Sequence, residues 1–179
     1  MFGDAVEIFD SKRVPLSNRE REQRQGEFAY HGAASVMDHV DDYLFDGIFV
    51  LMGEDGSVTN PDGTPILQYV WGKFWVNNHA HVLQAKPPLS NEQLLLFLRR
   101  TNIASLVTGA VQAKLSQGNM KRIPYVKAPD PINKAFGELV TSLFTSIRSL
   151  SEESLTIRDT RNSLLPRLLT GSLSVPAEL

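Results

Sequence analysis

The sequence predicts an α+β protein, a sheet-rich domain over residues 1–129 followed by one long C-terminal helix within residues 130–179. Three observations predict it. Phe136, Val140, Leu143, Ile147, Leu150, Ser154, Ile157, Arg161, Leu164 and Leu168 recur at alternating spacings of four and three, which places them on one stripe of a helix. Short runs of strand character fill the earlier part of the chain and are punctuated by Asp46-Gly47, Asp55-Gly56 and Asp62-Gly63, pairs that favour tight turns. Between the two regions stands Ala128-Pro129-Asp130-Pro131, whose prolines stiffen the chain.

The runs with strand character are 5–9, 28–31, 48–52, 66–70, 73–76, 79–84 and 122–126, and the ambiguous segment 36–44 is read as extended. One helix interrupts them. Ser90 caps it with Gln93 three residues on, and Leu94, Leu95, Phe97 and Leu98 supply its buried face. At the C-terminal helix Asp130 caps the first turn, Pro131 suits the first helical position and Pro166 disrupts the far end. About 35 residues at 1.5 Å each give a rod of roughly 50 Å, more than a compact domain of this size needs. In heptad terms Val140, Ile147, Ser154, Arg161 and Leu168 take one core position, and Phe136, Leu143, Leu150, Ile157 and Leu164 take the other. Ser154 and Arg161 fall where coiled coils use polar residues to fix register and partner at a cost in stability. A helix packed on its own domain is the simpler alternative, because periodicity does not say what covers the stripe.

Composition narrows the function. With 179 residues, 42% apolar and 21% charged, the chain has room for one domain and an appendage. It has no cysteine, which removes disulfides, thiolate nucleophiles and zinc–cysteine sites and fits a reducing compartment. No apolar run approaches a membrane span and the first residues lack the pattern of a signal peptide, so a cytoplasmic location is expected. A net charge of −2 gives no global pull toward nucleic acid, so DNA binding would need a local basic face or a partner.

The run Trp71-Gly72-Lys73-Phe74-Trp75-Val76-Asn77-Asn78-His79-Ala80-His81-Val82-Leu83 resembles a motif of target recognition domains in type I restriction-modification specificity subunits. Further segments match in the family's order: Lys12-Arg13-Val14-Pro15-Leu16, Tyr30-His31-Gly32-Ala33, Gly53-Glu54-Asp55-Gly56, Thr108-Gly109-Ala110-Val111-Gln112 and Leu164-Leu165-Pro166-Arg167-Leu168-Leu169-Thr170-Gly171. The resemblance implies a sheet-rich target recognition domain followed by one spacer helix, without catalytic residues of its own. In the family two recognition domains are held apart by two antiparallel spacer helices, each reads half of an interrupted DNA target, and modification subunits supply S-adenosylmethionine and methylate adenine. This chain holds one domain and one helix, as a natural half-subunit, a degraded gene or a trimmed chain would. The implied partners are double-stranded DNA, the modification subunits, the restriction subunit in a full complex, and a second half-subunit, with an antiparallel homodimer reading an interrupted palindrome. The heptads alone suit a parallel dimer, since β-branched residues at one core position with leucine at the other favour that arrangement. The antiparallel pairing is preferred because it keeps Ser154 and Arg161 from facing themselves.

Arginine and lysine suit guanine edges and phosphates, while asparagine and glutamine suit adenine edges. Two segments carry that chemistry. One is a polar loop with Lys12, Arg13, Arg19, Arg21 and Arg24, diluted by Glu20 and Glu22; the other runs through Gln112, Lys114, Gln117, Asn119, Lys121 and Arg122 and is preferred for base reading. Lys73 is a further phosphate contact, whereas Trp71, Phe74 and Trp75 belong to the core and Asn77 and Asn78 to a turn. No metal site or cofactor is assigned to the chain. Two rival functions stand beside DNA reading. His79 and His81 share a face on a strand and with His31, Asp55 or Glu54 would form the metal site of a hydrolase. A coiled-coil adaptor would keep the helix and bind only protein.

Overall fold

A computed structural model describes residues 1–109 and 111–173 of the chain. The order of elements is α1 (Phe2–Ala5), β1 (Val6–Ile8), a 3-10 turn (Asp10–Lys12), α2 (Asn18–Gln23), β2 (Gln25–His31), β3 (Val36–Val40), β4 (Phe45–Asp46), β5 (Phe49–Gly53), β6 (Leu67–Val70), β7 (Lys73–Val76), β8 (Ala80–Ala85), α3 (Asn91–Leu98), a second 3-10 turn (Ala104–Leu106), α4 (Gln117–Lys121) and α5 (Asp130–Leu169). The α+β expectation holds. Strands form over six of the seven expected runs, and 36–40 is extended as expected.

The strands assemble into two four-stranded sheets, ordered β1-β8-β5-β6 and β3-β2-β7-β4. The first is antiparallel throughout; the second is mixed, because β2 runs parallel to β7. Alternation along the strands builds the core between them. Leu51 and Val82, partners across β5 and β8, pack with Phe45, Phe49, Val70, Phe74, Val76 and Ala80. The rings of Phe45, Phe49 and Phe74 meet one another at 5.4–5.5 Å. Trp75 points the other way and packs with Tyr30 and Val40, its indole N–H donating to the Val14 carbonyl. On the outer face of the first sheet α3 packs on β5 and β8. Ser90 caps α3 by accepting from the Gln93 amide, and Leu94, Leu95 and Leu98 are fully buried.

The turns explain several glycines. Gly47, Gly56 and Gly63, each following an aspartate, have φ of 132°, 78° and 81°, a region that side chains with a Cβ rarely enter. Three local expectations differ. Residues 122–126 form no strand: Arg122 closes α4, Pro124 has no amide hydrogen to give a ladder, and the Ile123 carbonyl accepts from Phe2. Residues 18–23, expected as loop, are helical because Ser17 and Glu20 form a capping box. Pro166 lies inside α5, which runs on to Leu169; the helix continues because a proline so near the end costs only one backbone bond, at the exposed Asn162.

The chain divides into two compact units, Met1–Gly137 and Glu138–Leu179. The helix begins at the expected junction, although Asp130 lies within its first turn and the Pro129 carbonyl accepts from Ile132 and Asn133. The first unit takes in both sheets and the opening of α5. In the second unit α5 displays Leu139, Leu143, Ile147, Leu150, Leu155, Ile157, Leu164, Leu165 and Leu168 as exposed apolar side chains. Val140 is the exception on the heptad stripe, being only 4% exposed. Among the described residues, no helix is long and apolar enough to cross a membrane.

Candidate nucleic-acid interface

The structure sorts the candidate DNA-contact residues into inward and outward groups. Arg13 faces inward. Its Nη1 donates to Glu54 Oε2 and to the Ala80 carbonyl, both at 2.6 Å, its Nε donates to the Asp10 carbonyl at 3.0 Å, and only 12% of the side chain is exposed. Arg21 is also engaged: it donates to Asp38 at 3.0 Å and to the Leu16 carbonyl at 2.8 Å, and its guanidinium lies over the Tyr30 ring. Arg24 pairs with Asp41 and stacks on Trp75. Arg19 stays exposed on α2, and exposed Lys73 holds its ammonium 4.6 Å from the centre of the Tyr43 ring.

The second segment is built as a framework with an outward edge. Thr108 and Lys114 exchange backbone hydrogen bonds at 2.9 and 2.7 Å, Gly56 donates to the Ala113 carbonyl and Leu115 donates to the Glu54 carbonyl. Gly109, with φ of 95°, closes the turn, and a side chain on it would strike the Gln112 carbonyl. Ser116 then caps α4 by accepting from the Asn119 amide. Gln112, Lys114 and Lys121 are exposed, as is Val111. Gln117 and Asn119 are turned to structural use, donating to Asp10 at 2.6 Å and to the Leu106 carbonyl at 2.8 Å. Ala110 lies outside the described residues.

Beneath this edge lies a buried polar network. His81 is fully buried, with Nδ1 2.6 Å from Asp10 Oδ2 and Nε2 2.8 Å from the Leu115 carbonyl. Asp10 also accepts from the Val82 amide at 2.9 Å. Burial opposes ionisation of Asp10, but the His81 hydrogen bond and charge, the Val82 amide and Arg13 outweigh it and hold the carboxyl below the usual range. Glu54 completes the group, 3.9 Å from the half-exposed Lys114 ammonium. Among the described residues, every buried side-chain polar atom has a partner.

Asp10, Glu54 and His81 offer atoms within 4.8 Å of one another, the spacing of a metal site. Their lone pairs are already committed. Both His81 nitrogens face protein acceptors, and Arg13 supplies the cation that the carboxylates require. His79 does not share the face of His81: it lies before β8, partly exposed and 3.8 Å from Asp55. His31 instead bonds Gln68 at 2.8 Å. The geometry does not favour the hydrolase reading.

The sequence reading missed the linking role of Asp10 and Gln117. No local signal announces it, since their partners lie far along the chain. The helices α2 and α4 were also not assigned from sequence, although Ser17 and Ser116 carry the local signal of a polar N-cap residue.

Residues 2–149 match the family described as Type I restriction modification DNA specificity domain. Over 140 residues the chain is 31% identical to a Haemophilus influenzae protein described as a type I restriction enzyme specificity subunit, covering 78% of this chain and 35% of that one. The crystal structure of a type I restriction-modification system S subunit from M. genitalium superposes with a TM-score of 0.61 at 14% identity, over 94% of this chain and 44% of that one. That likeness is one of fold. The chain spans about a third of the length of its curated relative. On the match over residues 2–149 and the identity to that relative, this chain belongs to the type I restriction-modification specificity subunits.

Proposed function

We propose that the chain reads one half of a bipartite DNA target for a type I restriction-modification enzyme and carries no catalytic activity itself. The observation that carries this reading is the family match over residues 2–149, which takes in the whole recognition domain and the start of the helix. The exposed Gln112, Lys114 and Lys121 add suitable chemistry, an amide for adenine edges and two cations for phosphate or guanine. Arg19 and Lys73 are further outward cations available for phosphate. Arg13, Arg21, Gln117 and Asn119 act as framework, since their polar groups are already engaged.

In this reading α5 pairs antiparallel with that of a second copy through Phe136, Leu143, Ile147, Leu150, Ile157 and Leu164, all of them exposed here. The paired helices set the distance between two recognition domains and help to dock the modification subunits. Those subunits bring S-adenosylmethionine and flip the target adenine, with the restriction subunit joining the complete enzyme.

The decisive test is to co-express the chain with its modification subunit in a methylation-free host and map methylated adenine across the genome. Methylation at an interrupted palindrome is the expected result; an unmethylated genome, with both proteins present and folded, would overturn the reading. Binding supplies a second check. Lys114→Ala and Lys121→Ala should each weaken binding to a target duplex and lower the dependence of log affinity on log salt by about 0.9 if the residue contacts one phosphate. Unchanged affinity and slope in both variants would remove that edge from the interface.

A further inference from the structure

His81 is placed so that each ring nitrogen faces an acceptor: the Asp10 carboxylate at 2.6 Å and the Leu115 carbonyl at 2.8 Å. A neutral imidazole has one N–H and one lone pair, so either tautomer would aim a lone pair at oxygen. Moving the proton onto Asp10 Oδ2 would satisfy both nitrogens of a neutral ring, but it would discharge the carboxylate that Arg13 faces at 3.6 Å. Asp10 Oδ1 already accepts from the Val82 amide, and Oδ2 accepts from the Gln117 side chain at 2.6 Å as well as facing the ring. The surrounding charges suit a cation. Asp10 comes from the 3-10 turn, Glu54 Oε2 stands 3.5 Å from Nδ1 after β5, and Arg13 bridges the two carboxylates, with Lys114 on the outer side of Glu54.

We propose that His81 is held as an imidazolium and that its second proton positions the DNA-reading edge, with Nδ1–H anchored on Asp10 and Nε2–H holding the Leu115 carbonyl. His81 is thus a positioning residue. Leu115 follows Lys114 directly, and Gln117, at the start of α4, is tied to the same Asp10 oxygen as the ring. The ring and its Asp10 partner therefore fix the segment at two places, Leu115 and Gln117, while Arg13 and Glu54 brace it from beneath. The clamp follows from the geometry alone; its consequence for DNA rests on the reading of residues 112–121 proposed above.

The test is nuclear magnetic resonance of the full chain labelled with 15N-histidine and 15N-amide, titrated from about pH 5 to about pH 9. It needs no variant at His81, so a failure to fold does not enter. Two protonated nitrogens are expected at the His81 ring, and as the ring loses a proton the Lys114, Leu115 and Gln117 amides should move with the same midpoint while those of Phe74 and Val76 do not. A ring with one bare nitrogen throughout, or segment amides that ignore its titration, would overturn the proposal. Affinity for a mixed-sequence duplex of about 30 base pairs is followed in a His39→Gln, His79→Gln background, which removes two other imidazoles. It should fall about tenfold across that midpoint, the scale of one charge-assisted hydrogen bond. If ring and segment move together while affinity stays flat, the clamp stands and the DNA-facing assignment falls.

Discussion

Replacing Arg13 by alanine should destabilise the fold by about 3–5 kcal/mol, the cost of breaking a buried ion pair by removing one partner. The guanidinium lies between Glu54 and Asp10, whose side chains are only 15% and 3% exposed. Without it, the Asp10 and Glu54 carboxylates face each other across His81 without the guanidinium they share. The lost donors to the Asp10 and Ala80 carbonyls add to the deficit. Lysine should restore only part of the stability, because an ammonium cannot span these acceptors as a planar guanidinium does. Urea denaturation measures the effect, with Arg19→Ala, on the exposed surface of α2, as a control expected within about 0.5 kcal/mol of the parent. A loss below 1 kcal/mol in Arg13→Ala would show that the network does not carry the fold.

Acid should expose the same dependence. The Asp10 carboxyl is held below its usual range because hydrogen bonding and charge from His81, the Val82 amide and Arg13 outweigh the opposing effect of burial. A group whose folded value is depressed contributes stability above its unfolded value, near 3.9, and loses that contribution as pH falls through the folded value. Arg13→Ala removes one of the depressing causes, so its acid transition should move to higher pH than that of the parent.

What the sequence disclosed depended on how local the cause was. The Asp-Gly turns, the Ser90 cap and the alternation that buries Phe74 and Val76 on one face and Trp75 on the other were all legible, because each rests on residues a few positions apart. The false strand at 122–126 shows the limit. Ile123 and Val126 have strand character, but a strand needs a neighbouring strand, and here the Ile123 carbonyl accepts from Phe2 while the Arg122 and Ile123 amides turn back to Asn119 and Met120. Site residues were harder still. Arg13 and Arg19 look alike in sequence, yet one binds partners 41 and 67 residues away and the other faces water. Gln117 and Gln112 diverge in the same manner, one spent on Asp10 and the other left on the surface. The rival metal site failed for the same reason: spacing put two histidines in one strand, but the fold gave one of them Asp10 and the Leu115 carbonyl.

The helix offers the largest effect on assembly. On the proposed pairing of α5 with a second copy, Leu143→Asp or Ile147→Asp should weaken self-association by about 10²–10⁴-fold, measured by sedimentation equilibrium, without lowering the stability of the sheet-rich domain, since both side chains are about half exposed in the single chain. Burying such a side chain fully is worth about 1.5–3 kcal/mol, and a symmetric pair loses it twice, so about 3–6 kcal/mol is removed at about 1.4 kcal/mol per factor of ten. The desolvation of two aspartates adds to the loss. An associating variant indistinguishable from the parent would refute the seam. Direction can be settled separately because the chain contains no cysteine. Arg161→Cys places one thiol late on the stripe: a parallel pair sets it beside its own copy and should oxidise to a crosslinked dimer, whereas an antiparallel pair sets it against the early end of the partner helix and should not. The antiparallel reading requires the uncrosslinked result together with intact association, because only that combination separates opposite direction from the absence of pairing.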